Sequence, residues 1–185
     1  MAPTLARTVL IVMCMLAFVR DGGAAAPIEA DSCPEMTSMP FQIRSSTCQM
    51  VRAVDAGMRR SATFQQIVDR IGELNGIVYV DAKFIVQTDT KRVYSGTLQH
   101  RMTRAGKYRL LYVTVAPESG DRPVVTLAHE FQHAIEVLES DATTEAAINA
   151  LFERIGTHTN AGIFETAAAV KQQQAVAKEL SASGR

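Results

Sequence analysis

The stretch 126-TLAHEFQHAIEVLE-139 decides how the chain is read. On a helix at about 100° per residue, Val124, Leu127, Ala128, Phe131, Ala134, Ile135 and Leu138 gather on one face, which must be core. His129, His133 and Glu136 fall together on the opposite side. Histidines at i and i+4 stand one turn apart, so both imidazoles can reach a single cation, and Zn²⁺ takes nitrogen ligands at about 2.0–2.1 Å. Glu130 is turned about 100° from the first histidine, where its carboxylate approaches a water on the metal. Zinc lowers the pKa of such a water toward about 7, and the glutamate accepts the proton as the water attacks a carbonyl. The competing reading is an amphipathic helix with two histidines on its solvent face. An HExxH order inside a helix, out of register with the core stripe, argues for the metal. A carboxylate-bridged di-iron site would need a second ExxH on another helix, and the chain has none.

Around this helix the order of elements suggests an α+β fold. "QMVRAVDAGMRR" (49–60) reads as a helix with Val51, Val54 and Met58 in its stripe, and "SATFQQIVDRIGELNG" (61–76) as a second with Phe64, Ile67, Val68 and Ile71. In the second, Thr63 with Gln66 resembles a capping box and Asn75-Gly76 marks the end. "IVYVDAKFIV" (77–86) is rich in β-branched and aromatic residues, as strands are, and "RVYSGTLQHRM" (92–102) is a weaker strand after the turn "TDTK". "KYRLLYVTVAP" (107–117) alternates best: Tyr108, Leu110, Tyr112 and Thr114 on one face, Leu111, Val113 and Val115 on the other. After the loop "PESGDRP" come three helical stretches, Pro123 to Ser140, Thr143 to Ile155 and Ile163 to Ser181. Two or three strands followed by a run of helices are expected to give an α+β domain rather than a doubly wound sheet.

The beginning of the chain is of different material. Arg7, the apolar run "TVLIVMCMLAFV" (8–19), then Arg20, Asp21 and "GGAAAPIEA" have the order of a secretory signal peptide, with cleavage expected after Ala25. The apolar run is too short to span a bilayer comfortably, so a secreted or periplasmic protein with no stable membrane insertion is expected. Beyond the signal remain Cys33 and Cys48, an even pair in an oxidising compartment. Their bridge would close a loop worth on the order of 3 kcal/mol. The expected organisation is therefore a signal peptide at 1–25, a disulfide-stapled lead segment at 26–48 and the domain that carries the HExxH helix at 49–185. Lysine plus arginine equals aspartate plus glutamate at 19 each, which leaves no net field to draw in nucleic acid.

His129-Glu130-Phe131-Gln132-His133, preceded by a good strand, resembles the zincin metallopeptidases. The resemblance implies a small zincin-like domain holding one Zn²⁺ per chain, with His129 and His133 as ligands and Glu130 as base. It also implies a peptide or protein substrate laid along an edge strand, here "RLLYVTV" (109–115), by strand addition. The metzincin pattern would need glycine and histidine where Glu136 and Glu139 stand. The gluzincin pattern, whose third ligand is a glutamate on a later helix, fits better. Glu165 in "GIFETAAAV" resembles the E-x-x-A opening of that helix, with Ala169 where some members carry aspartate; Glu145, Glu153 and His158 compete for the same role. Glu136 is placed to accept a hydrogen bond from a ligand imidazole, and His158, Tyr112 and Tyr108 are candidate donors to an oxyanion. The chain also looks like small secreted bacterial proteins carrying HExxH. The alternative function is a secreted, non-catalytic binding domain on the same scaffold, its metal structural or absent.

Overall fold

The computed structural model describes residues 39–87, 92–158 and 164–183. All lie within one of the chain's two compact units, Cys33–Arg185. The expected signal peptide, Cys33 with its bridge to Cys48, and the turn at 88–91 lie outside the described residues. Among those residues no helix is long and apolar enough to cross a membrane.

After the short strand β1 (Ile43–Ser45), helices α1 (Cys48–Arg60) and α2 (Ala62–Glu73) form where their stripes require, burying Val51 and Val54 from the first and Phe64, Ile67, Val68 and Ile71 from the second. The cap of α2 is Ser61, whose hydroxyl accepts the Phe64 N–H at 3.0 Å; the expected Thr63 cap is wrong. Thr63 lies inside the first turn, where the Glu179 carboxylate takes its N–H at 3.1 Å and its hydroxyl at 2.6 Å. Asn75, at φ 54°, ends the helix in the left-handed region that asparagine tolerates.

The strands that follow are β2 (Gly76–Ala82), β3 (Ile85–Gln87), β4 (Arg92–Tyr94), β5 (Gly96–Leu98), β6 (Thr103–Ala105) and β7 (Tyr108–Val115). β1, β2, β7 and β5 lie side by side in that order, with β6 also on β7; β1, β2 and β7 are parallel, β5 and β6 antiparallel to β7. The sheet thus has five strands rather than two or three, because three-residue strands carry too little pattern to be read alone. β3 and β4 form a separate two-stranded ladder. At the β6–β7 hairpin Gly106 takes φ 61°, the positive value a two-residue turn needs at its first central position.

β7 is the centre of the sheet, not its edge. β2 pairs with it from Arg109 to Val115, while β5 and β6 occupy its other side, so the expected addition of a peptide to "RLLYVTV" has no free edge to use. One face, with Ile43, Val78, Val80, Leu111, Val113 and Val115, is buried in the core with the helices. The remaining elements are α3 (Arg122–Glu139), α4 (Glu145–Ile155), the ladder of β8 (Thr157–His158) with β9 (Phe164–Glu165), and α5 (Ala167–Ser183).

α3 is the helix of the HExxH sequence, and all seven expected core residues on it are buried. Its histidine side is not a solvent face: His129, Glu130 and His133 are buried too. α5 provides much of that cover. Arg60 pins the far end of α5 by donating to the Leu180 carbonyl and Ser183 hydroxyl while forking onto Asp121 at 2.6 and 2.9 Å. Glu179 adds its bonds to Ser61 and Thr63.

Candidate metal centre

The first imidazole of α3 is held from behind. His129 Nδ1 meets the Gln173 Oε1 of α5 at 2.8 Å, so Nδ1 carries the proton and Nε2 presents a lone pair. His133 Nδ1 likewise donates to Glu136 Oε2 at 2.8 Å, as the sequence suggested for Glu136. Both Nε2 atoms therefore turn to the same point, 3.1 Å apart, with Glu165 Oε2 3.3 Å from His129 Nε2. Two ring nitrogens at that distance need a proton or a cation between them. The donor atoms of His129, His133 and Glu165 all lie within 4.8 Å of one another, a set that could hold a metal ion.

Of the competing third ligands, the structure brings only Glu165 into this cluster. It stands on β9, ahead of α5 rather than within its first turn. Glu145 and Glu153 are exposed on α4. His158 is exposed with its ring against Phe164, 4.1 Å between centroids, and does not join the described group. Tyr112 stacks on Tyr79 under the Arg101 guanidinium, and Tyr108 packs on Phe41 beneath Lys107. Both tyrosines alternate with the buried residues of β7 and so leave by the face opposite α3, which removes them as oxyanion donors.

Glu130 lies under β5, where the backbone comes unusually close. A Cβ on Gly96 would sit 2.5 Å from Thr126 Cγ2 and 2.8 Å from Glu130 Oε1, so only glycine fits. The bonds Gln99 N–H to Tyr112 O at 2.8 Å and Ala116 N–H to Ser95 O at 2.7 Å set the alternation of the β5–β7 pair. Thr97 turns its backbone groups to β7, and Gly96 and Leu98 turn theirs away from it. The Leu98 N–H donates to the Glu130 carboxylate.

Charge in this cluster is unevenly placed. Burial pushes the Glu130 carboxyl up to about 7; Glu165 adds to the shift, while His133 and the Leu98 N–H oppose it. Burial lowers the His129 pKa and the neighbouring His133 lowers it further. Burial would lower His133 as well, but the Glu136 hydrogen bond and the carboxylates of Glu130, Glu136 and Glu165 outweigh it and raise its pKa. In the absence of a cation, the shared proton therefore belongs to His133.

The shift at Glu130 makes a prediction for metal-free protein. Its pKa rises on folding from 4.5 to about 7, so the folded chain holds the proton more firmly. That contribution is complete below pH 4.5 and is lost as pH rises through 7, at most about 3 kcal/mol at 1.36 kcal/mol per unit. Glutamine cannot titrate. In urea unfolding with chelator present, Glu130→Gln should therefore gain on the parent between pH 5 and pH 8. An equal gap at both pH values would mean that burial does not raise this carboxyl.

A cleft of about 620 Å³ opens over these groups, walled by Tyr94, Leu98, Phe152 and Phe164, with His100 and Asn149 in its lining. His100, which belongs to no motif, hydrogen-bonds Asn149 through Nδ1 and stacks on Phe152, whose ring also meets His133 edge-on at 5.2 Å. No family model, curated protein or solved structure matches this chain.

Proposed function

We propose that the protein is an exported zinc metallopeptidase of the zincin type, with His129, His133 and Glu165 as ligands and Glu130 as general base. The observation that carries this reading is the convergence of two Nε2 atoms and a carboxylate, each Nδ1 already committed to a partner, beside a buried glutamate poised near 7. Nitrogen and carboxylate donors in a three-ligand set suit zinc with a fourth position left for substrate. When bound, zinc would supply a Lewis acid for the scissile carbonyl and lower the pKa of the attacking water.

The chain's own residues supply the rest. Gln173 and Glu136 hold both ligand imidazoles in the Nδ1–H tautomer. Glu130, with a pKa near neutrality, can take a proton from water and return it to the leaving amine. β5 is the edge of the described sheet on the side of the cleft. An extended peptide would pair there, with the outward-turned backbone of Gly96 and the Leu98 carbonyl, since the Leu98 N–H is held by Glu130, instead of on β7.

Elemental analysis of the purified protein tests the reading. About one zinc per chain is expected in the parent, and its loss in His133→Ala and in Glu165→Ala. Zinc kept in Glu165→Ala would remove Glu165 from the ligand set. A parent that takes up no metal after loading would leave the cleft to a non-catalytic binding role.

A further inference from the structure

We infer that Thr166 is a positioning residue, whose hydroxyl ties the start of α5, and with it Glu165, to the orientation of the His133 imidazole. The inference rests on the metal site proposed above. Thr166 is 4 % exposed. Its Oγ1 donates to Glu136 Oε1 at 2.6 Å and accepts the Ala169 N–H at 3.1 Å. A carboxylate only accepts and a backbone N–H only donates, so the single hydroxyl proton has one place to go.

Each bond fixes a different part of the centre. The Ala169 bond caps α5 and sets where that helix begins, two residues beyond Glu165. The Glu136 bond holds one carboxylate oxygen, leaving the other to take the His133 Nδ1 proton at 2.8 Å. That proton in turn decides that Nε2 is the metal-facing atom. Glu165, Thr166, Glu136 and His133 thus form a closed relay around the cation position, in which one ligand cannot shift without moving the other. His129 is tied to α5 separately, through Gln173.

The test is a competition titration against a chromogenic zinc chelator, with metal-free stability measured on the same samples. Thr166→Val should weaken zinc binding by roughly ten- to a hundredfold, as loss of a partner behind a ligand does. Thr166→Ser keeps both bonds and should bind like the parent. Thr166→Gly keeps most of the capping preference and folds even where valine does not, because glycine at a helix cap costs only a few tenths of a kcal/mol relative to threonine. It should nevertheless lose zinc affinity as valine does. In a Glu136→Leu background neither change should cost anything more. Affinity near the parent's in Thr166→Gly, or the same loss with and without Glu136, would reduce Thr166 to a helix cap and overturn the inference. A parent without zinc affinity would overturn the metal reading itself, and that failure shows before any variant is made.

Discussion

Glu130→Gln is expected to keep its zinc and to lose roughly 10²–10⁴-fold in kcat on any peptide the parent cleaves, the range a positioned general base supplies. Glutamine has nearly the same shape, so it still fits beneath Gly96, and its carbonyl oxygen can still accept the Leu98 N–H. It cannot accept a proton. The three donor side chains are untouched, so metal content measured beside the rate separates loss of the base from loss of the site. Single-turnover kinetics on a fluorogenic peptide pool, with zinc determined on the same preparation, would decide it. Hydrolysis at the parent rate would move the base elsewhere in the cleft, and His100 would be the first residue to examine.

Much of the helical architecture was legible in the sequence because its signal is local. The seven apolar positions of α3 recur at helical spacing, and all seven are buried. The stripes of α1 and α2 were legible for the same reason, as was the alternation along β7. What the sequence did not carry is pairing between distant strands. β1, β5 and β6 are three residues each, too short for any period, and their places depend on partners far along the chain. The mistaken edge at β7 has the same origin. Its alternation shows which face meets the core, but nothing in eight residues says that β2 lies on one side and β5 with β6 on the other.

The candidate site divides in the same manner. His129, Glu130 and His133 announce themselves because one helical turn places the chemistry, and Glu136 follows from the same turn. Glu165 was reached only through resemblance, and its place on β9 required the structure. Gln173 sits in an Ala- and Gln-rich helix where three glutamines in a row look alike, and only packing selects the one that meets His129. Thr166 could have been noticed as a capping residue ahead of a helix, although its bond to Glu136 spans thirty positions. His100 carried no signal at all, since a lone histidine after a weak strand has no spacing to interpret.

Gly96→Ala should slow hydrolysis about 10²-fold, with zinc content unchanged. The added methyl would lie 2.5 Å from Thr126 Cγ2, 2.8 Å from Glu130 Oε1 and 3.0 Å from Glu130 Cγ. Something must yield. α3 cannot easily retreat, because Leu127 and Phe131 are fully buried on its other side. The carboxylate is the freer group, and a displacement near 1 Å in a reacting group costs on the order of a hundredfold. Overpacking at the β5–α3 contact should also lower stability by about 1–3 kcal/mol. Gly106→Ala is the matching control: it forces alanine into the φ 61° region, with no atom within 4 Å of the added methyl. It should cost about 1–2 kcal/mol of stability and leave the rate alone. Urea unfolding and peptide hydrolysis on both variants would separate the two effects. If Gly96→Ala proved as active as Gly106→Ala, the close approach of β5 would not be what aims the base, and the cleft would tolerate a wider spacing between its edge strand and α3.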